Sequence, residues 1–368
     1  VTRPDEVPDS GVKLSFPRAY ALSLSSQIVH ANSKLLSQLV SSRCYRQLEF
    51  LAVGSFFMFK PASGPASGPA ATPTLARIPS TREDVFSSTD LSARVKRQLM
   101  KFLKLVLSYE EEATLPQWQE YADRPLAELL SGKLGLDEGL QTYIITLTLS
   151  LDGRISTKDG LATIHRHMTS MGLFGPGFAA VYPKWGGGSE IAQVGCRAGA
   201  VGGGVYMLGT GIKEIRGDGT GGEVELELSE GTVVKTKTLF GGPEVPAVNG
   251  IKVSRLVAII GSPLGSLFEP TLEGAPTPAV AVIALPPRSV KTSEGSESTY
   301  PIYASAHSSD TGECPAGQSK LRPMIPRPSH FHDEKSFNPY LHCLSNSHEV
   351  KKLLLLMTTP IPSYSQPP

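Results

Sequence analysis

Glu190, Gln193 and Arg197 are the polar side chains in this 368-residue chain whose spacing most suggests recognition chemistry. At about 100° per residue on a helix they fall on one narrow face, where a carboxylate, an amide and a guanidinium stand in line. Two readings are open: a solvated polar stripe on a packed helix, or a binding surface. Groups suited to reaction chemistry are not assembled. None of the eight histidines has a ligand set: His330 and His332 lie in a Pro-rich segment with no cysteine at zinc spacing, and His165 and His167 fall on a predicted helix. No GxSxG elbow and no GxxxxGK[ST] phosphate loop occurs. "GDGTGG" at 217–222 fits GxGxxG, but strands predicted on both sides make it a hairpin turn, since a dinucleotide site needs a strand before and a helix after. The sequence offers no catalytic, metal-binding or cofactor-binding residue.

The stripe is positioned by "YPKWGGGSEIAQVGCRAGAVGGGVYMLG", residues 182–209. Ser189 is predicted to cap a helix running from Glu190 to about Val201, and Gly202 to end it. Ile191, Val194, Ala198 and Val201 fall on the adjoining face and are predicted to be buried, while Gly195 and Gly199 leave room for close backbone packing. In a following strand, Val205 and Met207 would point to one side and Tyr206 and Leu208 to the other.

Upstream, residues 15–39 suit a helix or two, and 45–60 read as a strand followed by a second strand after Gly54. "PASGPASGPAATPT" is a low-complexity surface loop. Asp90 is a plausible N-cap for a helix whose apolar stripe is Leu91, Val95, Leu99, Phe102, Leu103 and Val106. Further helices are predicted over 125–130, 137–151 and 158–171. Strand signals return after 181 in "GGVYMLG", "GIKEIRG", "GEVELELS", "TVVKTKTLF", "VSRLVAIIGS" and "AVAVIAL". The pattern predicts an α/β domain interrupted by a helical insertion from about residue 80 to 172.

Thirty-five basic and thirty-four acidic residues leave a formal net charge of +1, so no global field draws in nucleic acid or an acidic membrane surface. Cys44, Cys196, Cys314 and Cys343 are widely spaced with no CxxC pair, the pattern of free thiols in a reducing compartment. The apolar run at 353–357 is far shorter than the ~20 residues that span a bilayer. The expectation is a soluble, cytoplasmic protein. The chain begins at Val1 inside a polar segment, from which an absent N-terminal part is expected.

The block at 182–208 resembles the signature of the Rab escort protein and Rab GDP-dissociation inhibitor superfamily: Tyr-Pro, a Gly-rich turn, Glu, Gln, Arg, then Gly-Gly-x-Tyr-x-Leu. Glu190 and Arg197 keep the family's seven-residue separation. "SSRCYRQLEFLAVGSFFMFK", "RIPSTREDVFSSTDLSARVKRQLMKFLKLVL", "SLDGRISTKDGLATIHRHMTSMGLFGPG" and "HSSDTGECPAGQ" are similar to the family in the same order, covering about 15–318. "DVF" at 84–86, followed by Arg97, resembles the escort branch. The resemblance implies a flavin-oxidoreductase-like sheet domain without flavin, in two parts at 1–79 and 173–318. It also implies an inserted all-helical domain at 80–172. On this resemblance Glu190, Gln193, Arg197, Val205 and Met207 bind a GDP-bound Rab small GTPase, and Phe86 with Arg97 binds the catalytic heterodimer of Rab geranylgeranyltransferase. Leu99, Phe102, Leu103, Leu147 and Met168 would line a site for the geranylgeranyl lipid of the cargo, and membrane contact would be peripheral and transient. No reaction and no cofactor is implied. On the residues alone, Phe86 reads equally as a hydrophobic staple on its own helix. The sequence departs from the family in lacking the N-terminal Gly-rich strand-turn-helix, in having Val205 where inhibitors have Thr, and in one extra residue before Glu190. Residues 319–368, Pro- and His-rich without a period, are expected to be a disordered tail.

Overall fold

The computed structural model describes residues 14–23, 27–61, 73–79, 85, 92–217, 222–240, 252–290, 297–327 and 354–355. Its strands are, in chain order, β1 (Val29–His30), β2 (Phe50–Lys60), β3 (Thr74–Arg77), β4 (Ala180–Pro183), β5 (Ile212–Arg216), β6 (Val224–Leu228), β7 (Val233–Thr236), β8 (Lys252–Arg255), β9 (Ala258–Ile260), β10 (Val280–Leu285), β11 (Ile302–Ser308), β12 (Ser319–Arg327) and β13 (Leu354–Leu355). The α-helices are α1 (Lys34–Ser41), α2 (Ala93–Leu107), α3 (Leu126–Glu128), α4 (Glu138–Leu147), α5 (Thr157–Ser170) and α6 (Gly188–Val201). Contacts divide the chain into two units, 1–191 with 252–368, and 192–251. The architecture is α/β, as expected.

In the larger unit the strands form one mixed sheet in the order β1-β4-β2-β10-β11-β12-β9-β13, with β3 on β2 and β8 on β12. The β2–β10 pair is parallel, and the pairs of β11 with β10 and with β12 are antiparallel. Period-2 alternation divides the central strands between two cores. Ala281, Ile283, Leu285, Ala304, Ala306 and Leu321 pack with Ile260, Leu267 and Phe268. Val280 and Val282 pack with Val53, Phe56, Met58 and Tyr182. Strand β2 runs without a break through Gly54, where one strand was expected to end and a second to follow. The glycine serves close approach: a Cβ there would lie 2.6 Å from the Pro278 ring.

The helices of 93–170 surround their own core of Leu99, Phe102, Val106, Trp118, Leu126, Leu129, Leu130, Ile144, Leu161 and Ile164. Helix α2 is capped by Ser92, whose side chain accepts from the Val95 N–H; the expected cap, Asp90, and Leu91 lie outside the described residues. Asp137 and Ser156 cap α4 and α5 in the same way. Although the sequence suggests a separate insertion at 80–172, these helices stay in the larger unit. His167 of α5 packs edge-on against Phe56 of β2, and Tyr143, Leu147 and Leu149 lie against the second sheet core. The Tyr303 hydroxyl donates to the Ser150 carbonyl at 2.9 Å.

The smaller unit contains the antiparallel sheet β5-β6-β7. "GDGTGG" links β5 to β6, with Arg216 opposite Glu225, which is the hairpin connection expected; 218–221 lie outside the described residues.

The expectation of a disordered tail from residue 319 fails at 319–327 and at 354–355, which are strands of the sheet. Residues 319–327 form β12, paired with β11 over six positions from Ser308↔Ser319 to Tyr303↔Met324, and Leu321 is in the core. The prolines misled the reading, because proline removes a ladder donor. Pro323 falls at the gap between the two partners on one edge of β12: β9 reaches Leu321 and β8 starts at Met324. A chain truncated after Gln318 is therefore expected to lose its cooperative unfolding transition and partition into the insoluble fraction. Circular dichroism melts and a solubility assay beside the parent chain check this.

Candidate functional site

Two turns hold the start of α6 by packing on each other. Strand β4 delivers Tyr182, and after Pro183 the chain turns through Trp185, which has φ of 76°. The Trp185 N–H donates to the Thr311 carbonyl at 2.8 Å. Its ring covers Gly312, where a Cβ would lie 2.2 Å from ring carbon Cε3, so only glycine fits. Gly187 in turn has φ of 68° and a Cβ there would be 2.6 Å from the Tyr182 hydroxyl. Ser189 does not cap the helix by accepting, as expected; its hydroxyl donates to the Gly186 carbonyl at 2.9 Å. The glycines of this block thus admit segments of the same fold.

Beneath this turn lies a buried charge cluster built by the 307–318 hairpin. Glu313, fully buried, accepts from Tyr182 at 3.1 Å, contacts His307 Nδ1 at 2.5 Å and pairs with Lys320 at 2.7 Å. Lys320 also donates to the Ala21 carbonyl at 2.6 Å. Burial opposes ionisation of Glu313, but the His307 hydrogen bond and the Lys320 charge prevail and hold its pKa down at about 2. Burial lowers Lys320 to about 8 against the pull of Glu313. Sequence reading assigned no role to His307, Glu313, Lys320 or Arg322; the alternation Lys320, Arg322, Met324 was the available signal, masked by the charges on what is the inner face.

Helix α6 spans Gly188–Val201, close to the expected bounds, and carries Glu190, Gln193 and Arg197 at i, i+3 and i+7. Glu190 is half-buried, Gln193 and Arg197 exposed. Of the face expected to be buried, Val194 is enclosed and Ile191 partly so, but Ala198 is exposed and Val201 is 86% exposed. Residues 204–207 are not a strand; the segment is irregular. Gly203 at φ 89° and a Gly204 N–H to Gly199 carbonyl bond of 2.8 Å close the helix, and the Tyr206 hydroxyl occupies the space where a Cβ on Gly199 would be. Gly195, in contrast, faces open space. The alternation expected of Val205 to Leu208 is absent: Val205, Tyr206, Met207 and Leu208 are all exposed. Clustered exposed apolar side chains next to a charged stripe are the composition of an interaction surface, since isolated folded domains bury such groups.

The helical residues expected to line a lipid site do not all meet. Leu99 and Phe102 are buried in the helical core with Leu103 and Met168 packed against it. Leu147, at the last position of α4, packs instead on the sheet core with Val53 and Phe56, although the i, i+4, i+7 spacing puts it on the same helix face as Leu140 and Ile144. Arg97 is exposed on α2, its Nε donating to the Ala93 carbonyl at 3.2 Å. Phe86 lies outside the described residues; Val85 beside it is fully buried in the helical core. Cys44, Cys196 and Cys314 are free thiols, and among the described residues no helix is long and apolar enough to cross a membrane.

A mixed sheet backed by a helical cluster, with its exposed surface on a glycine-bracketed helix, has the fold of Rab GDP-dissociation inhibitors and of flavin-type oxidoreductases. The solved Rab GDI of Plasmodium falciparum superposes on 96% of this chain and 76% of its own, with a TM-score of 0.66 and 16% identity. An oxidoreductase of Methanosarcina mazei covers 92% and 78%, with a TM-score of 0.55 and 11% identity. The family profile described as GDP dissociation inhibitor matches residues 3–286, and the chain belongs to that family. Rab proteins geranylgeranyltransferase component A of Saccharomyces cerevisiae is 29% identical over 285 residues, 75% of this chain and 43% of that protein. The protein of the same name in Candida albicans is 27% identical, covering 82% and 45%. The chain spans about half the length of the curated relatives it matches.

The buried histidines set the acid response. Burial, with the Arg166 charge, lowers His30 to about 4, and burial, with His30, lowers His167 to about 4. An unfolded histidine titrates near 6.5, so the unfolded chain takes up these protons first and stability is lost as pH falls from about 6.5 to about 4. His167→Phe keeps a ring against Phe56 and removes one proton site. Urea denaturation at pH ~7.5 and ~5 should show a loss that is smaller by about 1 to 2 kcal/mol in the variant.

Proposed function

We propose that this chain is part of a Rab escort protein. It binds a GDP-bound Rab GTPase, presents it to the catalytic heterodimer of Rab geranylgeranyltransferase and delivers the prenylated product to membranes. The chain performs no reaction of its own in this reading and needs no cofactor. The observation that carries it is the surface on and after α6. Glu190, Gln193 and Arg197 supply directional polar contacts, while Val205 and Met207, exposed with Val201 and Leu208, supply apolar area. A GTPase switch region, itself a mixed polar and apolar surface, is a suitable partner. Family membership and the names of the fungal relatives support the same reading.

The division of labour follows the expected segments: 80–172 for prenyl lipid and transferase, 173–318 for the Rab surface. A lipid site among Leu99, Phe102, Leu103 and Met168 requires the helices to part, since a core at interior density has no room for a long isoprenoid. Leu147 is left out of that site by its place on the sheet core. Phe86 and Arg97 form the transferase contact, an aromatic anchor with a neighbouring guanidinium as in interface hot spots. The second reading is a Rab GDP-dissociation inhibitor that recycles prenylated Rab, favoured by the likeness to the Plasmodium fold. The transferase contact separates the two.

Glu190→Arg and Arg197→Glu should each weaken Rab–GDP binding by about 2 kcal/mol, some thirtyfold in Kd, with the melting temperature unchanged. Titration calorimetry with a purified Rab checks this, and unchanged affinity in both variants removes the surface from the reading. Phe86→Ala should cost about 2 kcal/mol or more in binding the transferase heterodimer while Rab affinity stays the same. Parallel loss of Rab affinity and thermal stability would instead make Phe86 a core staple and favour the recycling inhibitor.

A further inference from the structure

We propose that a cavity beside Arg322 on the sheet of the larger unit binds a short aliphatic carboxylate. The register of the central strands places Arg322 opposite Ser305, and Ser305 opposite Val282. Over this row lies a cavity of about 100 Å³ walled by Ile28, Leu149, Leu256, Val282 and Tyr303, with Arg322 in its lining. The Arg322 side chain is only 5% exposed. Its Nη1 is 3.5 Å from the Tyr182 hydroxyl, and its Nη2 is buried with no hydrogen-bond partner among the described residues.

The charge balance next to the cavity is incomplete in the same sense. Among the described residues the fully enclosed charged side chains are Glu313, Lys320 and Arg322, one carboxylate against two cations. Glu313 is engaged by other partners and makes no ion pair with Arg322. One of its oxygens receives Lys320 and Tyr182, and the other meets His307. His307 adds no compensating negative charge, and its second nitrogen is engaged by the Ser305 hydroxyl at 3.1 Å. A buried cation without a counter-ion is costly, so a single anion at Nη2 relieves both the orphaned donor and the surplus charge.

The walls select the class of anion. A guanidinium edge matches a carboxylate, and the aliphatic side chains accommodate an alkyl group, with Arg255 and Ser305 the other polar groups of the lining. A volume of about 100 Å³ equals roughly three water molecules at ~30 Å³ each, which admits acetate or propionate and excludes long chains.

Thermal unfolding of the full chain in sodium propionate, against sodium chloride at equal ionic strength, tests the assignment. Propionate should raise the midpoint in proportion to the logarithm of its concentration above Kd, by about 2 °C at tenfold excess, with hexanoate giving no such rise. Arg322→Met, which replaces the charge by an apolar chain of similar length, should abolish the propionate response. Equal midpoints in propionate and chloride overturn the proposal, as they would if an acidic side chain of the protein itself filled the cavity. An undiminished response in Arg322→Met overturns it too. Should that variant fail to fold, the wild-type series decides, since equal responses to propionate and hexanoate mean a general salt effect and not a sized site.

Discussion

The carboxylate of Glu313, withdrawn from solvent, receives groups from three separate stretches of chain: Tyr182 from β4, His307 from β11 and Lys320 from β12. Lys320 extends the connection to the Ala21 carbonyl near the N-terminal side. Removing one partner of such a cluster leaves an uncompensated charge in a medium of low dielectric, which costs far more than the pair itself contributes. The hairpin that supplies Glu313 also supplies Thr311 and Gly312, on which Trp185 rests. Two residues, Gly186 and Gly187, separate Trp185 from the first turn of α6. Placement of Glu190, in the first turn of the helix, therefore depends on a charge cluster that never reaches the surface.

Much of this was legible in the amino-acid order. The bounds of α6 follow from its bracketing glycines, and the stripe from its spacing. The helical core follows from the 3.6-residue period of Leu99, Phe102 and Val106. What escaped did so for identifiable reasons. Gly54 read as a break because glycine weakens strands, whereas here it makes space for Pro278. Ser319 to Arg327 read as tail because prolines and charges argue against a central strand, and the carboxylate that neutralises Lys320 lies in a different segment. Ala198 and Val201 read as buried because apolar periodicity reports only that a face is apolar. It does not say whether the cover belongs to the same chain.

The same sheet serves proteins of very different occupation, as the likeness to an oxidoreductase shows. A fold offers positions, and function resides in what is placed on them. Here Tyr182, His307 and Lys320 of the sheet interior are taken up by structural pairing around Glu313, while the exposed groups suited to recognition gather on α6 and the segment after it.

Strand β2 has one further consequence, which concerns the order in which the chain leaves the ribosome. Its parallel partner β10 brings Val280 beside Val53, 227 positions later in the sequence (280 − 53). At about 5–20 residues per second, on the order of ten to forty-five seconds separate the appearance of the two strands. Throughout that interval the apolar "FLAVGSFFMF" has an unsatisfied edge, a template for pairing with any other extended chain. Long-range parallel pairing is also slow once both partners exist, because loop closure precedes its reward. The distance in sequence between β2 and β10 is thus a constraint on how this protein is made as well as on how it is held together.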